Sequence, residues 1–234
     1  MAEAFAESGA NLCVVSRTKD DVDRLAADLS SRYQTKVFGI HADVSQETAA
    51  EVVITEVVAA LGGIDILVCA AGYPMDQQMW NKKLHELNDV DFLKVMSVDL
   101  LGSFHCAKYA IPHLVNQKSG VVLLFSSTPA VAGYDKGAPY TIAKSAVRSL
   151  AKEIALEYAK DNVRAYALAP GNIKTAATFD TLSKEEQMAL SEESPMKRWG
   201  NPAEVARVAV ALATDNFSFV TGQTIVVDGG TVML

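Results

Sequence analysis

The chain has 234 residues, half of them hydrophobic, which is enough to bury a full core and suits one large α/β domain. Its net charge of −7 argues against nucleic acid and anionic membranes as partners, and no stretch has the composition of a basic tail. Cys13, Cys69 and Cys106 all sit in apolar runs, the pattern of reduced thiols in a cytoplasmic protein. The apolar stretch 52–72 is interrupted by Glu56 and Asp65 too early for a membrane span, and there is no signal-peptide pattern, low-complexity linker or internal repeat.

In chain order, residues 1–8 have helical composition and stop at Gly9, with no strand before them. Residues 11–16 read as a strand, 20–32 as an amphipathic helix, 36–41 as a strand, 46–61 as a helix and 64–69 as a strand. A helix over 95–111 precedes a fully apolar strand at 121–125. Helical composition returns after Pro139 and at 203–213, and the last strand is 224–227. Strands separated by helix-length segments predict parallel βαβ units in a doubly wound, three-layer sheet of Rossmann type, whose ligands sit at the carboxyl ends of the strands.

The strand at 121–125 ends in two serines, and Tyr140 and Lys144 follow, four residues apart. On a helix begun by Pro139 that spacing puts both side chains on one face, and Ser127 faces them from the strand end. Tyrosine is a poor proton carrier at neutral pH, but a nearby ammonium favours the phenolate. Such a tyrosine exchanges a proton with an alcohol or carbonyl oxygen while the serine hydroxyl holds that oxygen. This is the acid/base half of a carbonyl–alcohol interconversion, and the hydride has to come from a cofactor. A Tyr-x-x-x-Lys pair alone is common, so the weight rests on its context.

That context resembles the short-chain dehydrogenase/reductase family, and most closely its 3-oxoacyl-carrier-protein-reductase-like members, over residues 1–234 as a single dinucleotide-binding domain. Ser127 stands thirteen residues before Tyr140, as the family requires. The segment Ala169-Pro170-Gly171-Asn172-Ile173-Lys174-Thr175 is similar to the family's Pro-Gly-x-Ile-x-Thr. Arg198-Trp199-Gly200-Asn201-Pro202-Ala203-Glu204 and Thr221-Gly222-Gln223 through Asp228-Gly229-Gly230 resemble its C-terminal signature.

The resemblance implies a cofactor path along the strand ends. Ser16 and Arg17 follow the first strand of this chain, where many dinucleotide sites carry an acidic residue on the ribose. Arg17 in its place is suited to a 2′-phosphate, so NADP is expected, with NAD possible. Asp43 and Val44 match the family's adenine-contacting pair, although an aspartate there is equally suited to capping a helix or turn. Cys69-Ala70-Ala71-Gly72 stands for the family's Asn-Asn-Ala-Gly; Ala70, Ala71 and Gly72 permit close backbone approach, while the asparagine hydrogen bonds are gone. Pro170, Gly171, Ile173 and Thr175, with Tyr140 and Lys144, complete the cofactor set. The family's catalytic asparagine, which positions a water beside the lysine, corresponds to Asp99, which accepts as asparagine does but cannot donate when ionised. It is suited either to holding Lys144 charged and retuning the Tyr140–Lys144 pair, or to being tolerated because the family's contact is partly backbone. No metal site is assigned.

Residues 176–197 correspond to the family's substrate lid, with Phe179, Leu182, Met188, Leu190 and Met196 suited either to lining a channel or to packing the lid. Residues 73–88, with Met79 and Trp80, form the opposite wall. The expected substrate is a small-molecule or acyl-carrier-linked carbonyl. The helices carrying Asp99 and Tyr140 build a dimer interface in the family, so a homodimer or homotetramer is expected.

One departure concerns the start. The family opens with a strand and a Gly-rich turn that cradles the cofactor pyrophosphate, whereas Met1 here falls inside the first helix. The expectation is a sheet lacking its central strand, through an internal methionine taken as the start or a genuinely short form. Either the sheet has a void beside residues 13–15 and 66–68, or those strands are drawn together. The rival reading of function is a non-catalytic member, or a shortened form, that keeps the fold and binds dinucleotide weakly.

Overall fold

Residues 1–233 are described by a computed structural model. Six parallel strands form two hydrogen-bonded sets. β1 (Leu12–Ser16) pairs with β2 (Val37–His41), Val14 standing opposite Gly39. β3 (Ile66–Cys69), β4 (Gly120–Phe125), β5 (Val163–Pro170) and β6 (Gln223–Val227) lie side by side in that order, with Leu67 opposite Val122, Leu124 opposite Ala167 and Leu168 opposite Ile225. All ladders are parallel, so the carboxyl ends of the strands gather on one edge.

Side chains alternate across each strand and both faces are covered, which is why β4 and β5 read as unbroken apolar runs. Val122 and Leu124 of β4, with Val163, Ala165 and Ala167 of β5, point into one core. There they meet α3 (Glu47–Leu61), α6 (Gly102–Gln117) and α8 (Ala138–Tyr158). Val121, Leu123, Tyr166 and Leu168 point the other way, against α1 (Ala2–Glu7) and α10 (Pro202–Ala213). The helix α2 (Lys19–Tyr33) packs on β1 and β2 and touches α1, completing the three-layer α/β architecture.

Two elements differ from the sequence reading. It assigns no strand to 163–170, because the alanine-rich VRAYALAP lacks β-branched alternation; β5 forms nonetheless, with pairing on both sides and small side chains under α8. The helix expected over 95–111 is built from α5 (Asp89–Met96), a π-helical turn at Ser97–Leu101 and α6, which runs through Pro112 to Gln117. An interior proline costs helix stability, but Ala110, Ile111 and Leu114 are all buried around it. Tertiary packing sets the boundary there rather than local propensity.

The two sets of strands are not paired with each other. Leu12 N–H donates to Lys36 C=O, and Ser16 C=O accepts from Ala42 N–H, so in β1 the even residues face β2. The backbone groups of Cys13 and Val15 therefore face the opposite, open edge. Val121 N–H donates to Asp65 C=O, which by the same alternation leaves Ile66 and Val68 of β3 facing away from β4. Of the two arrangements expected for this region, the strands stay apart. Leu12, Ile66 and Val68 still share one apolar cluster with Phe5 of α1.

Among the described residues no helix is long and apolar enough to cross a membrane, and no group of three His, Cys, Asp or Glu side chains is placed to hold a metal. The three cysteines are free thiols, and burial pushes Cys13 up to about 12.

Candidate active site

β4 delivers Ser126 and Ser127 to the carboxyl edge. Ser126 is buried; its N–H donates to Leu168 C=O at 2.7 Å, and its Oγ donates to the Lys144 carbonyl at 2.9 Å. That bond ties the strand end to α8. Ser127 is half-buried and its Oγ reaches only the Pro170 carbonyl, at 3.5 Å, the limit of a hydrogen bond. The sequence carries one signal for Ser126: continued alternation along the strand puts its hydroxyl on the side opposite that of Ser127.

α8 begins after Gly137, whose positive φ of 62° turns the chain into the helix, and Pro139 occupies the first turn. Tyr140 and Lys144 then fall one turn apart, with the Lys144 ammonium 5.7 Å from the Tyr140 ring centroid. Lys144 is 5% exposed and Asp99 is fully buried. Asp99 Oδ1 lies 2.9 Å from Lys144 Nζ, off the hydrogen-bonding direction, so the contact is an ion pair more than an aligned bond. Its Oδ2 accepts from the Tyr73 backbone N–H at 2.7 Å. Asp99 sits in the middle of the π turn, a distortion that recurs at functional sites, and Ser103 Oγ donates to its carbonyl at 3.1 Å.

The expected cofactor residues lie on the same edge. Arg17 is exposed just past β1 and has no ion-pair partner among the described residues, while Ser16 Oγ accepts from Thr18 N–H at 3.1 Å. Asp43 Oδ1 accepts from Ser45 N–H at 3.1 Å, the local turn that its residue type also allows. Val44 lies against Gly102, and its carbonyl is 3.3 Å from Nδ1 of the buried His105. Ala70, Ala71 and Gly72 are exposed just past β3 and carry almost no side chain, leaving a bare backbone shelf that leads to Tyr73 and Asp99. Pro170 C=O accepts from Thr128 N–H, and Gly171 N–H donates to Val227 C=O. A Cβ on Gly171 would stand 2.5 Å from that of Asp228, so only glycine fits. Ile173 bridges to Gly200, and the hydroxyl of Thr175 meets that of Thr178 at 2.7 Å.

The helix α9 (Lys184–Glu192), in the segment expected as a lid, is held by Asn172, whose Nδ2 donates to the Leu190 carbonyl and to Glu193 Oε2, each at 3.1 Å. Phe179 packs edge-on against Trp199 with ring centroids 5.1 Å apart. With Lys174 and Met188 they line a surface cavity of about 490 Å³. Tyr140 is not part of that lining; Phe179 and Met188 border a cavity beside α9.

A doubly wound parallel sheet, with a serine at a central strand end, Tyr140 and Lys144 on one helix face, and a small-residue shelf beside them, defines a dinucleotide-type oxidoreductase fold. The chain belongs to the short-chain dehydrogenase/reductase family. The family described as Enoyl-(Acyl carrier protein) reductase matches residues 1–232. The 3-oxoacyl-[acyl-carrier-protein] reductase FabG of Thermotoga maritima is 33% identical over 229 residues, covering 98% of this chain and 90% of its own. Among solved structures, the 3-oxoacyl-[acyl-carrier protein] reductase of Brucella melitensis superposes with a TM-score of 0.92 at 30% identity, covering 100% of this chain and 86% of that one. The L-sorbose reductase of Gluconobacter frateurii, complexed with NADPH and L-sorbose, gives 0.93 at 26% identity, covering 100% and 91%. These relatives are named as reductases of a 3-oxoacyl-[acyl-carrier protein] and of L-sorbose, so the family defines an oxidoreductase without defining its substrate.

Proposed function

We propose that the chain moves a hydride between NADP(H) and the carbonyl or alcohol carbon of a small or acyl-carrier-linked substrate, as a single domain over residues 1–234. The observation that carries this reading is the placement of Tyr140, Lys144 and Ser127 at one strand end, with the buried Asp99 behind the lysine.

The residues present fit an NADP-type dinucleotide over most of its length. Arg17, without an ion-pair partner among the described residues, offers its guanidinium to a 2′-phosphate, and no Asp or Glu stands among residues 16–18 to repel it. Val44 offers an apolar wall to the adenine, and the shelf 70–72 allows close approach of the rest. Pro170, Gly171, Ile173 and Thr175, at and past the end of β5, would hold the rest of the dinucleotide. When bound, the dinucleotide supplies or accepts the hydride. Tyr140 Oη gives the proton to the carbonyl oxygen in reduction, or takes it from the alcohol in oxidation. Ser127 Oγ donates a hydrogen bond to that oxygen as charge develops on it. Lys144 places positive charge beside the phenol, and Asp99 fixes Lys144 in position from behind.

The exposed apolar residues Leu101 and Phe104, by the π turn and on α6, and Ile142 and Leu156 on α8, fit burial in a homodimer or homotetramer, which size-exclusion chromatography with light scattering checks.

The experiment for the central reading is Tyr140→Phe. Turnover of a 3-oxoacyl thioester with NADPH should fall by at least about a hundredfold, while NADPH affinity stays within about twofold, because ring and packing survive and the proton donor goes. Turnover within tenfold of the parent overturns the assignment of Tyr140. The open edges of β1 and β3 support a second reading, in which the 234-residue chain holds dinucleotide weakly; a spectroscopic NADPH titration separates micromolar binding from none at millimolar cofactor.

A further inference from the structure

We propose that Trp80 is the specificity-determining wall of this site, seated on Gly137 and packing against the substituent on the reacting carbonyl carbon. The proposal rests on the placement of Tyr140 as the acid and adds the substrate feature that is read. Trp80 ends the short helix α4 (Gln77–Trp80), capped by Asp76, whose carboxylate accepts from the N–H groups of Gln78 and Met79. Its carbonyl accepts from Gly137 N–H at 2.8 Å, so the loop after β3 is pinned to the loop that opens α8. The indole lies directly on Gly137: a Cβ there would stand 2.4 Å from the ring. Gly137 thus serves two needs, a positive φ at the helix start and a bare seat for an aromatic ring.

From that seat the indole faces two phenols. Its centroid is 5.6 Å from that of Tyr140 and 6.1 Å from that of Tyr134, both tilted, the spacing of packed aromatic pairs. Tyr140 is the proton donor, so a group attached to the carbonyl carbon beside Tyr140 Oη passes next to the flank that Trp80 closes. Trp80 is half-buried and Tyr134 is 49% exposed, which leaves the outer part of this aromatic wall open to solvent and to a ligand. A rigid indole in that position limits the size of the substituent, and its removal leaves a space that a flat apolar group can enter.

The test uses two 3-oxoacyl N-acetylcysteamine thioesters that differ only at the reacting carbon, one carrying methyl and the other phenyl. Trp80→Ala should raise the phenyl-to-methyl ratio of kcat/KM by about tenfold or more, and Trp80→Phe should raise it by roughly threefold. The hydrogen bond from Gly137 N–H goes to the backbone of residue 80 and survives both changes; if the alanine variant does not fold, the phenylalanine variant carries the test. A ratio within twofold of the parent in the folded variants, or equal losses for both thioesters, overturns the proposal. If the parent turns over neither thioester, the reading of the reaction fails separately. The wall is then read from Trp80 emission in a Trp199→Phe background, where a change on adding the methyl thioester that the phenyl one does not give at equal concentration supports it, and any other result overturns it.

Discussion

Asp99 and Lys144 are 45 residues apart in sequence and 2.9 Å apart in space, the carboxylate fully buried and the ammonium nearly so. The family resemblance leads to an asparagine at this position, and here a direct ion pair stands instead. Each charge has given up water for the other, so removing one strands its partner.

Asp99→Ala should therefore destabilise the fold by about 3 to 5 kcal/mol in a denaturant titration. It leaves Lys144 without its counter-charge and the Tyr73 N–H without an acceptor. Asp99→Asn keeps the acceptor for Tyr73 and restores the family's residue, so it should cost less stability and keep turnover within about threefold of the parent. A large loss of turnover in well-folded Asp99→Asn protein would show that the carboxylate has a role of its own in the chemistry.

Cofactor choice should rest on Arg17. Replacing it by Asp removes a phosphate partner and adds repulsion. NADPH affinity should fall by about 1.5 to 3 kcal/mol, roughly tenfold to a hundredfold, with NADH affinity nearly unchanged. Calorimetric or fluorescence titration with both cofactors gives the answer, and an unaltered preference for NADPH rules Arg17 out as the discriminator.

Much of this site is visible before folding because its geometry is local. Tyr140 and Lys144 are joined by one helical turn, Ser127 follows an apolar run whose end has to open toward a ligand, and Arg17 stands where a strand ends. The contacts that were not visible depend on elements far apart in sequence. The family resemblance places Asp99 beside Lys144, but nothing near it announces the π turn that carries it, and nothing near Ser126 shows that its hydroxyl ties β4 to α8. The seat of Trp80 on Gly137 is likewise a contact between two loops 57 residues apart. In the fold, alternation of element types fixed the layers, whereas β5 and the run of α6 through Pro112 are decided by pairing and burial that local propensity does not carry.

The segment Arg198 to Glu204, legible only as a signature, has a structural role that pH exposes. Both guanidinium nitrogens of Arg198 reach Glu204, at 2.7 and 2.8 Å, and the Asn201 N–H donates to it at 2.8 Å, closing the cap of α10. Arg198 first, then that backbone bond, holds Glu204 at about 2, below its ordinary value of 4.5. A depressed carboxylate contributes stability above its unfolded value and loses that contribution as pH falls through its folded value. The cap should persist at pH 3 and open near pH 2. An NMR titration of the Glu204 carboxylate with a midpoint near 4.5 would refute this.

The open edges of β1 and β3 give the last prediction. The backbone groups of Cys13, Val15, Ile66 and Val68 face no strand, although the side chains of Ile66 and Val68 pack in the cluster around Phe5. A paired strand interior protects its amides, whereas an unpaired edge leaves them to water. In hydrogen exchange on the 234-residue chain, these four amides should exchange at least about a hundredfold faster than those of Val122 and Leu124 in β4, which have partners on β5. A strand supplied there exchanges water for a backbone partner at each of these groups, a net gain of about 0.5 to 1.5 kcal/mol per hydrogen bond. Fusing a strand and Gly-rich turn from a relative ahead of Met1 should slow exchange at all four positions, raise Tm and tighten NADPH binding by tenfold or more, since the turn adds backbone donors for the pyrophosphate. Slowed exchange without tighter NADPH binding would mean that the slot is a matter of stability alone, and that the dinucleotide site is limited elsewhere. Fast exchange in the fused protein would mean that the slot between β1 and β3 does not accept a strand.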